Sequence, residues 1–301
     1  MHIPKSSKTN PERAPKGRSW GLERRLQFID FRLRWEGNIN RTDLTAFFGL
    51  SIPQASLDIS KYMEIAPDNL VYDRSAKTYT AAPNFSPIYP QSSAQRYLEE
   101  LLATETGILE PDASFIGSAP EIDWAHYPSR ALNEQTVETI VKAIRQKMAI
   151  KASYQSTASL DESPRLLSPH ALGYDGCRWH VRAFCHTQQQ FCDFVLTRIL
   201  RIDSVEPSQI DPAADKQWNT ILTLVLAPHP DISPTYRRVL ELDYGMQDGE
   251  VALSCRQAFL YHTLKRLGLP VKASAEPAGT KIVLKNREEI QPYIDALPKR
   301  I

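Results

Sequence analysis

Cysteine is scarce in this chain: four residues in 301, at positions 177, 185, 192 and 255, with no C-x-x-C pair. That density and spacing exclude a disulfide scaffold. Long apolar runs are missing too, none approaching the ~20 residues of a membrane span. The first residues are polar and basic and lack the apolar stretch of a secretory signal. A cytoplasmic, reduced protein with no membrane partner is expected. No carboxylate cluster for a catalytic metal and no nucleophile triad is visible. What remains is ordinary globular composition, 42% hydrophobic and 24% charged, over a length that suits two or three domains.

Net charge is only +1, yet its distribution is uneven. Residues 1–34 hold nine Lys/Arg against three acids, and residues 141–205 hold nine against five. Two basic regions in a near-neutral chain point to two anionic partners, although charge runs of this kind also serve as solvated faces.

Residues 1–18, with Lys5, Lys8 and Arg13, show no periodicity and read as a flexible basic arm. Leu22, Leu26, Ile29 and Leu33 then define an amphipathic helix that ends at Gly37-Asn38. Asn40 with Asp43 opens a second helix over 41–48, and Gly49 makes a tight turn. Ser51 caps a third helix, with Pro53 in its first turn, running to about Met63. Two short strands around a polar turn fill 70–79. Helix, helix, short turn, helix, hairpin is the plan of a winged helix-turn-helix, whose third helix enters the major groove. Its outward candidates are Ser51, Gln54, Ser56 and Lys61, and the wing offers Arg74 and Lys77 to phosphates. Gln54 suits adenine bidentately and Lys61 suits a phosphate. A three-helix protein-interaction module without DNA is the alternative.

A Pro/Ser/Asn-rich stretch at 81–90 marks a boundary, and a linker helix follows over 92–105. Residues 107–130 are irregular. Asn133 caps a helix with Val137, Ile140, Ile144 and Met148, leading to a strand at 149–156. The centre of the chain is a meander of strands at 166–172, 179–185 and 193–200. Trp179, Val181, Ala183 and Cys185 alternate with Arg178, His180, Arg182 and Phe184. Asp175-Gly176 carries the two-residue type I′ hairpin signal. One face is apolar, and the other presents two arginines and a histidine where an anion could bind. The same arginines could instead pair with Asp175, Asp193 and Asp203.

Register stays open on residues alone. Pairing of Cys185 with Phe191 puts Arg198 on the His180 face, whereas pairing of His186 with Phe191 puts it on the tryptophan face. His170 falls off the His180 face unless Pro169 introduces a bulge. Cys177, His180, Cys185, His186 and Cys192 lie close in sequence, but a strand directs Cys177 and Cys185 away from His180, so no metal and no cofactor is assigned. After a break at 207–212, a β-α-β-α-β order over 221–284 fits a small ferredoxin-like unit. His229 and His262 there read as surface or satisfied core histidines.

Taken together, these elements resemble the WYL-domain transcriptional regulators. The family's Trp-Tyr-Leu stands here as Trp179-His180-Val181, its Arg-Ile strand as Arg198-Ile199, and Ser168, Pro169 and His170 precede the hairpin. The variant is most similar to the BrxR/CapW-type repressors of phage-defence islands. The resemblance implies an α+β protein with a winged helix-turn-helix (1–90), a linker (91–132), a five-stranded Sm-like WYL barrel (133–212) and a C-terminal dimerisation domain (213–301). It further implies a homodimer on a pseudo-palindromic double-stranded operator, and a pocket sensing a nucleotide or single-stranded nucleic acid. Carried over by position, that pocket takes Tyr154, Ser156, His170, His180, Arg182 and Arg198, with Arg165 and Arg178 at its margin. His180 in place of tyrosine departs from the family pattern. A rival reading is a phosphodiesterase or nuclease with His180 as general base; the regulator, not an enzyme, is expected.

Overall fold

The structure, a computed structural model, describes residues 20–126, 128, 130–157, 160–271 and 281–297. The basic arm at 1–18 lies outside the described residues. The chain divides into two compact units, 1–126 and 127–301.

In the first unit, α1 (Trp20–Glu36) leads through strand β1 (Asn38–Ile39) into α2 (Arg41–Phe48) and α3 (Ile52–Ile65). Gly37 and Gly49, at φ +74° and +65°, make the reversals that end α1 and α2. The Asp43 carboxylate accepts the Asn40 N–H at 2.6 Å, fixing the start of α2. Strands β2 (Leu70–Asp73) and β3 (Thr78–Ala81) form the expected hairpin. The sheet order is β1-β3-β2, so a third strand was missed; two residues are too few to show alternation. Phe28, Phe31, Leu44, Ile59 and Tyr62 fill the core. A final helix, α4 (Ala94–Glu105), follows the Ser93 cap.

One buried acid organises this unit. Asp30 is fully buried and accepts from the Tyr62 hydroxyl at 2.5 Å, the Ser92 hydroxyl at 2.5 Å and the Ile88 and Tyr89 N–H groups. Burial first, then the Asp30 hydrogen bond, pushes the Tyr62 phenol far above its ordinary range.

In the second unit, α5 (Glu134–Gln146) lies on a sheet of β4 (Met148–Tyr154), β5 (Ser163–Tyr174), β6 (Trp179–Cys185), β7 (Gln190–Val195) and β8 (Ile199–Pro207). Every neighbour is antiparallel, in the order β7-β6-β5-β4-β8. No ladder joins β7 to β8 among the described residues, so the sheet is open where a closed barrel was expected. The expected strand at 193–200 is in fact two. β7 stops at Val195, a 3-10 turn covers Leu196–Arg198, and β8 crosses to pair with β4.

The remainder is α6 (Lys216–Asn219), β9 (Ile221–Pro228), α7 (Pro234–Asp243), β10 (Val251–Arg256), α8 (Leu260–Arg266), β11 (Ile282–Leu284) and α9 (Arg287–Asp295). Its antiparallel sheet runs β10-β9-β11. Leu222, Leu224 and Leu226 alternate into a core with Leu240, Leu260 and Ile290.

Candidate functional site

The DNA-facing candidates are set by how α3 is anchored. Its Ala55, Asp58, Ile59 and Tyr62 point inward. Asp58 takes the Arg25 guanidinium at 2.7 and 3.1 Å, and the Gln54 amide NH2 at 3.0 Å. Gln54 is therefore held in one orientation, with its amide oxygen not engaged by this bond. Ser51 is spent as the N-cap, accepting the Gln54 N–H, and the Ser56 hydroxyl donates back to the Ile52 carbonyl. Lys61 pairs with Glu64 at 2.6 Å on the exposed face. Ile52 and Leu57, 60% and 63% exposed, stand on this helix as large apolar groups in solvent. Sequence reasoning passed over them, although both fall off the inward stripe. Their chemistry suits thymine methyl groups.

Arg74 and Lys77 are exposed in the turn between β2 and β3. Asp73 shapes that turn, accepting from the Ser75 hydroxyl and the Ser75 and Ala76 N–H groups, which hold its carboxyl below the usual range.

On the WYL-like sheet the six expected pocket residues separate into two groups. Pairing of Phe184 with Phe191 follows neither register considered from sequence. It sends Val181, Ala183 and Cys185 into the core and His180 and Arg182 to the opposite face. Trp179, expected in the apolar face, is 46% exposed and packs on Tyr174 at 5.0 Å. A bulge between Pro169 and Ala171 brings His170 to the Arg182 side.

His170, His180 and Arg182 thus share a face, but it is neither open nor positive. Arg182 is 2% exposed. Its guanidinium grips Asp215 bidentately at 2.7 and 2.9 Å and also reaches Asp193 at 3.3 Å and Gln217 at 3.0 Å. The His170 Nε2 meets the same Asp215 at 2.9 Å. His180 Nε2 lies 2.8 Å from Asp175 Oδ2, and His262 Nδ1 lies 3.5 Å from that oxygen. Burial opposes ionisation of both acids. The Arg182 and His170 bonds at Asp215, and the His180 and backbone N–H bonds at Asp175, outweigh it and hold both far below the usual carboxylate range. Burial likewise works against the charge on Arg182, but Asp215 and Asp193 hold it firmly protonated.

The hairpin expected at Asp175-Gly176 is a four-residue loop between the paired Tyr174 and Trp179. Asp175 Oδ1 accepts the Cys177 and Arg178 N–H groups, and Gly176 takes φ +90°. Gly173 leaves room for Phe259, since a Cβ there would sit 2.1 Å from its ring.

The second group lies at the end of β4. Tyr154 packs edge-on against Phe194, and its hydroxyl accepts the Val195 N–H at 3.2 Å. The Arg198 carbonyl accepts the Gln155 N–H at 3.0 Å, beside Ser156. Arg198 is half-buried, with no ion pair among the described residues. Arg165 donates to the Ser163 hydroxyl, and Arg178 approaches Asp175.

A winged helix with an exposed third helix, joined in one chain to a five-stranded sheet carrying Trp179-His180-Val181, defines the WYL class of transcription regulators. Family models divide the chain accordingly. Residues 21–103 match the BrxR transcriptional regulator winged helix-turn-helix domain, 135–204 the WYL domain, and 221–290 the BrxR transcriptional regulator C-terminal dimerization domain. Among curated relatives, the DNA-binding transcriptional repressor CapW of Stenotrophomonas maltophilia is 45% identical over 91% of this chain and 93% of its own. The repressors of that name from Pseudomonas aeruginosa and Escherichia coli (strain KTE188) are 43% and 41% identical, over 96% and 94% of this chain and 98% and 95% of theirs. The chain belongs to the BrxR/CapW family of transcriptional regulators.

Proposed function

We propose that this chain is a homodimeric, sequence-specific repressor that binds a pseudo-palindromic double-stranded operator. The observation that carries the reading is the α3 face: Gln54 pre-oriented by Asp58, with exposed Ile52 and Leu57 beside it. The names of the relatives point the same way, to a regulator rather than an enzyme. The segment matched by the dimerization-domain model supports assembly through 221–290. In this reading the first unit and linker present the winged helix, an open five-stranded sheet stands where the Sm-like barrel was expected, and the last sheet is a small ferredoxin-like layer. No described helix is long and apolar enough to cross a membrane. A cytoplasmic site of action is part of the same proposal. Control of a phage-defence operon belongs to the same proposal.

The test is anisotropy of upstream DNA against a scrambled control, with light scattering for the dimer. Gln54→Ala is expected to cost roughly 1–3 kcal/mol and to relax preference at one base pair. Arg74→Ala should weaken every sequence alike and reduce the salt slope by about 1. Equal affinity for native and scrambled DNA would overturn the reading.

We also propose that the central sheet senses an anionic ligand, a nucleotide or single-stranded nucleic acid. Ser156 and Arg198 offer a hydroxyl and an uncommitted guanidinium at one end of β4, beside the Tyr154 ring, which is itself buried in the core against Phe194. His170, His180 and Arg182 are already bonded to acids and serve as the element that responds, because a competing anion must displace Asp215 from His170 and Arg182 or Asp175 from His180. Arg198→Ala is expected to leave operator affinity near wild type while blunting release by nucleotides or oligonucleotides. Loss of operator binding by Arg198→Ala without any ligand would show a folding or DNA-contacting role instead.

A further inference from the structure

Three groups from three separate segments meet on the buried face of the central sheet. Asp175 comes from the β5–β6 loop, His180 from β6 and His262 from α8. One potential ligand atom from each lies within 4.8 Å of the other two. The shortest approaches are 2.8 Å from His180 Nε2 and 3.5 Å from His262 Nδ1, both to Asp175 Oδ2. Side-chain exposure is 3% for His180, 5% for His262 and 6% for Asp175. We propose that Asp175, His180 and His262 form a binding site for one divalent transition-metal cation of the zinc type.

The donor set fits that chemistry. Two imidazoles and one carboxylate are nitrogen and oxygen ligands of the kind zinc takes at ~2.0–2.2 Å. Bonds of that length in a tetrahedron place ligand atoms about 3.3 Å apart, so small side-chain torsions suffice from the present spacing. The carboxylate is also pre-aimed. The Cys177 and Arg178 N–H groups at 2.8 and 2.7 Å fix Oδ1, which turns Oδ2 toward the imidazoles, with the Arg178 Nε 3.4 Å from the same oxygen.

The buried Nδ1 of His180 finds no partner, so the ring is engaged through Nε2 alone, the nitrogen that faces Asp175. Asp175 and His262 also form part of the wall of a cavity of about 380 Å³, with Ser254, Thr263 and Arg266 among its other sides. A fourth ligand, water or a small anion, would come from that cavity. Bound metal would tie the β5–β6 loop to α8, coupling the sheet that carries the sensing residues to the C-terminal layer. The site shares His180 with the proposed responsive element, but its geometry does not depend on which operator or ligand the chain binds.

Chelator-stripped full-length protein titrated with ZnCl2 in a calorimeter, and with CoCl2 under visible absorption, tests the assignment. The expected result is one ion per chain, a tetrahedral cobalt spectrum without a sulfur charge-transfer band, and a raised melting temperature with zinc. His262→Gln and Asp175→Asn should each weaken binding by at least tenfold, with circular dichroism confirming that the variants are folded. The cobalt spectrum of the wild type carries the test if either variant fails to fold. Absence of stoichiometric uptake, a sulfur band that places the ion on Cys255 or another thiol, or undiminished uptake by folded variants would overturn the proposal.

Discussion

Asp215→Ala is expected to destabilise the second unit by about 3–5 kcal/mol, because it leaves a buried guanidinium short of its principal counter-charge. Asp215 does three things at once. It takes Arg182 bidentately, it meets His170, and its Oδ1 accepts the Trp218 N–H at the start of α6. After the substitution Arg182 keeps only the longer contact to Asp193 and the Gln217 oxygen. At roughly 2–4 °C per kcal/mol for a unit of this size, the melting temperature should fall by about 6–20 °C. The paired replacement Arg182→Met with Asp215→Leu should recover most of that loss, since apolar groups of similar volume often substitute for a buried pair without penalty. A small shift for the single variant would mean that water already screens the pair.

The same acid dictates a pH dependence. The folded-state pKa of Asp215 is depressed, so its contribution is fully present above the unfolded carboxylate value of about 4. It is lost progressively as pH falls below that value toward the folded pKa. Asp175 adds to the same window. Urea midpoints between pH 5 and 2 should fall more steeply for wild type than for Asp215→Asn. Parallel curves would show that the coupling is absent.

Asp30→Ala is expected to be the most damaging single change in the first unit. The carboxylate satisfies two hydroxyls and two backbone N–H groups inside the core. Its removal strands several buried donors, each costing about 1–3 kcal/mol, so a total above ~4 kcal/mol is expected even without full additivity. α1, α3 and the segment at 88–92 are held to one another through this acid. Operator binding should therefore be lost together with cooperative unfolding of the unit, although Asp30 touches no DNA. Asp30→Asn, which keeps an acceptor oxygen, should retain part of both. Wild-type melting in Asp30→Ala would show that water replaces the carboxylate.

Much of the first unit was legible in the chain because its signals are local. Asn40, Ser51 and the glycines at 37 and 49 each act within a few residues, and the apolar spacing of α1 fixes its inward face. The boundaries of α2 and the cap of α3 fall where those residues place them. Strand β1 was not legible, since two residues carry no period and pair with β3 some forty positions on. In the central sheet, alternation put Val181, Ala183 and Cys185 on the core face of β6 and His180 and Arg182 on the other, but it did not foresee the exposure of Trp179. It did not give β8, which the 3-10 turn at Leu196–Arg198 separates from β7.

The sequence by itself determined the kind of protein this is: a winged helix, a strand with Trp179-His180-Val181, and a C-terminal layer of alternating strands and helices. It also determined which face of β6 carries charge. Only the tertiary structure decided what that charge meets. Arg182 is neutralised by Asp215, 33 residues away, and His180 shares Asp175 with His262 from another layer. The physical reason is that an ionisable side chain states a requirement for a partner but not its address. Burial raises the cost of leaving the requirement unmet, and the chain's long-range packing chooses which carboxylate meets it.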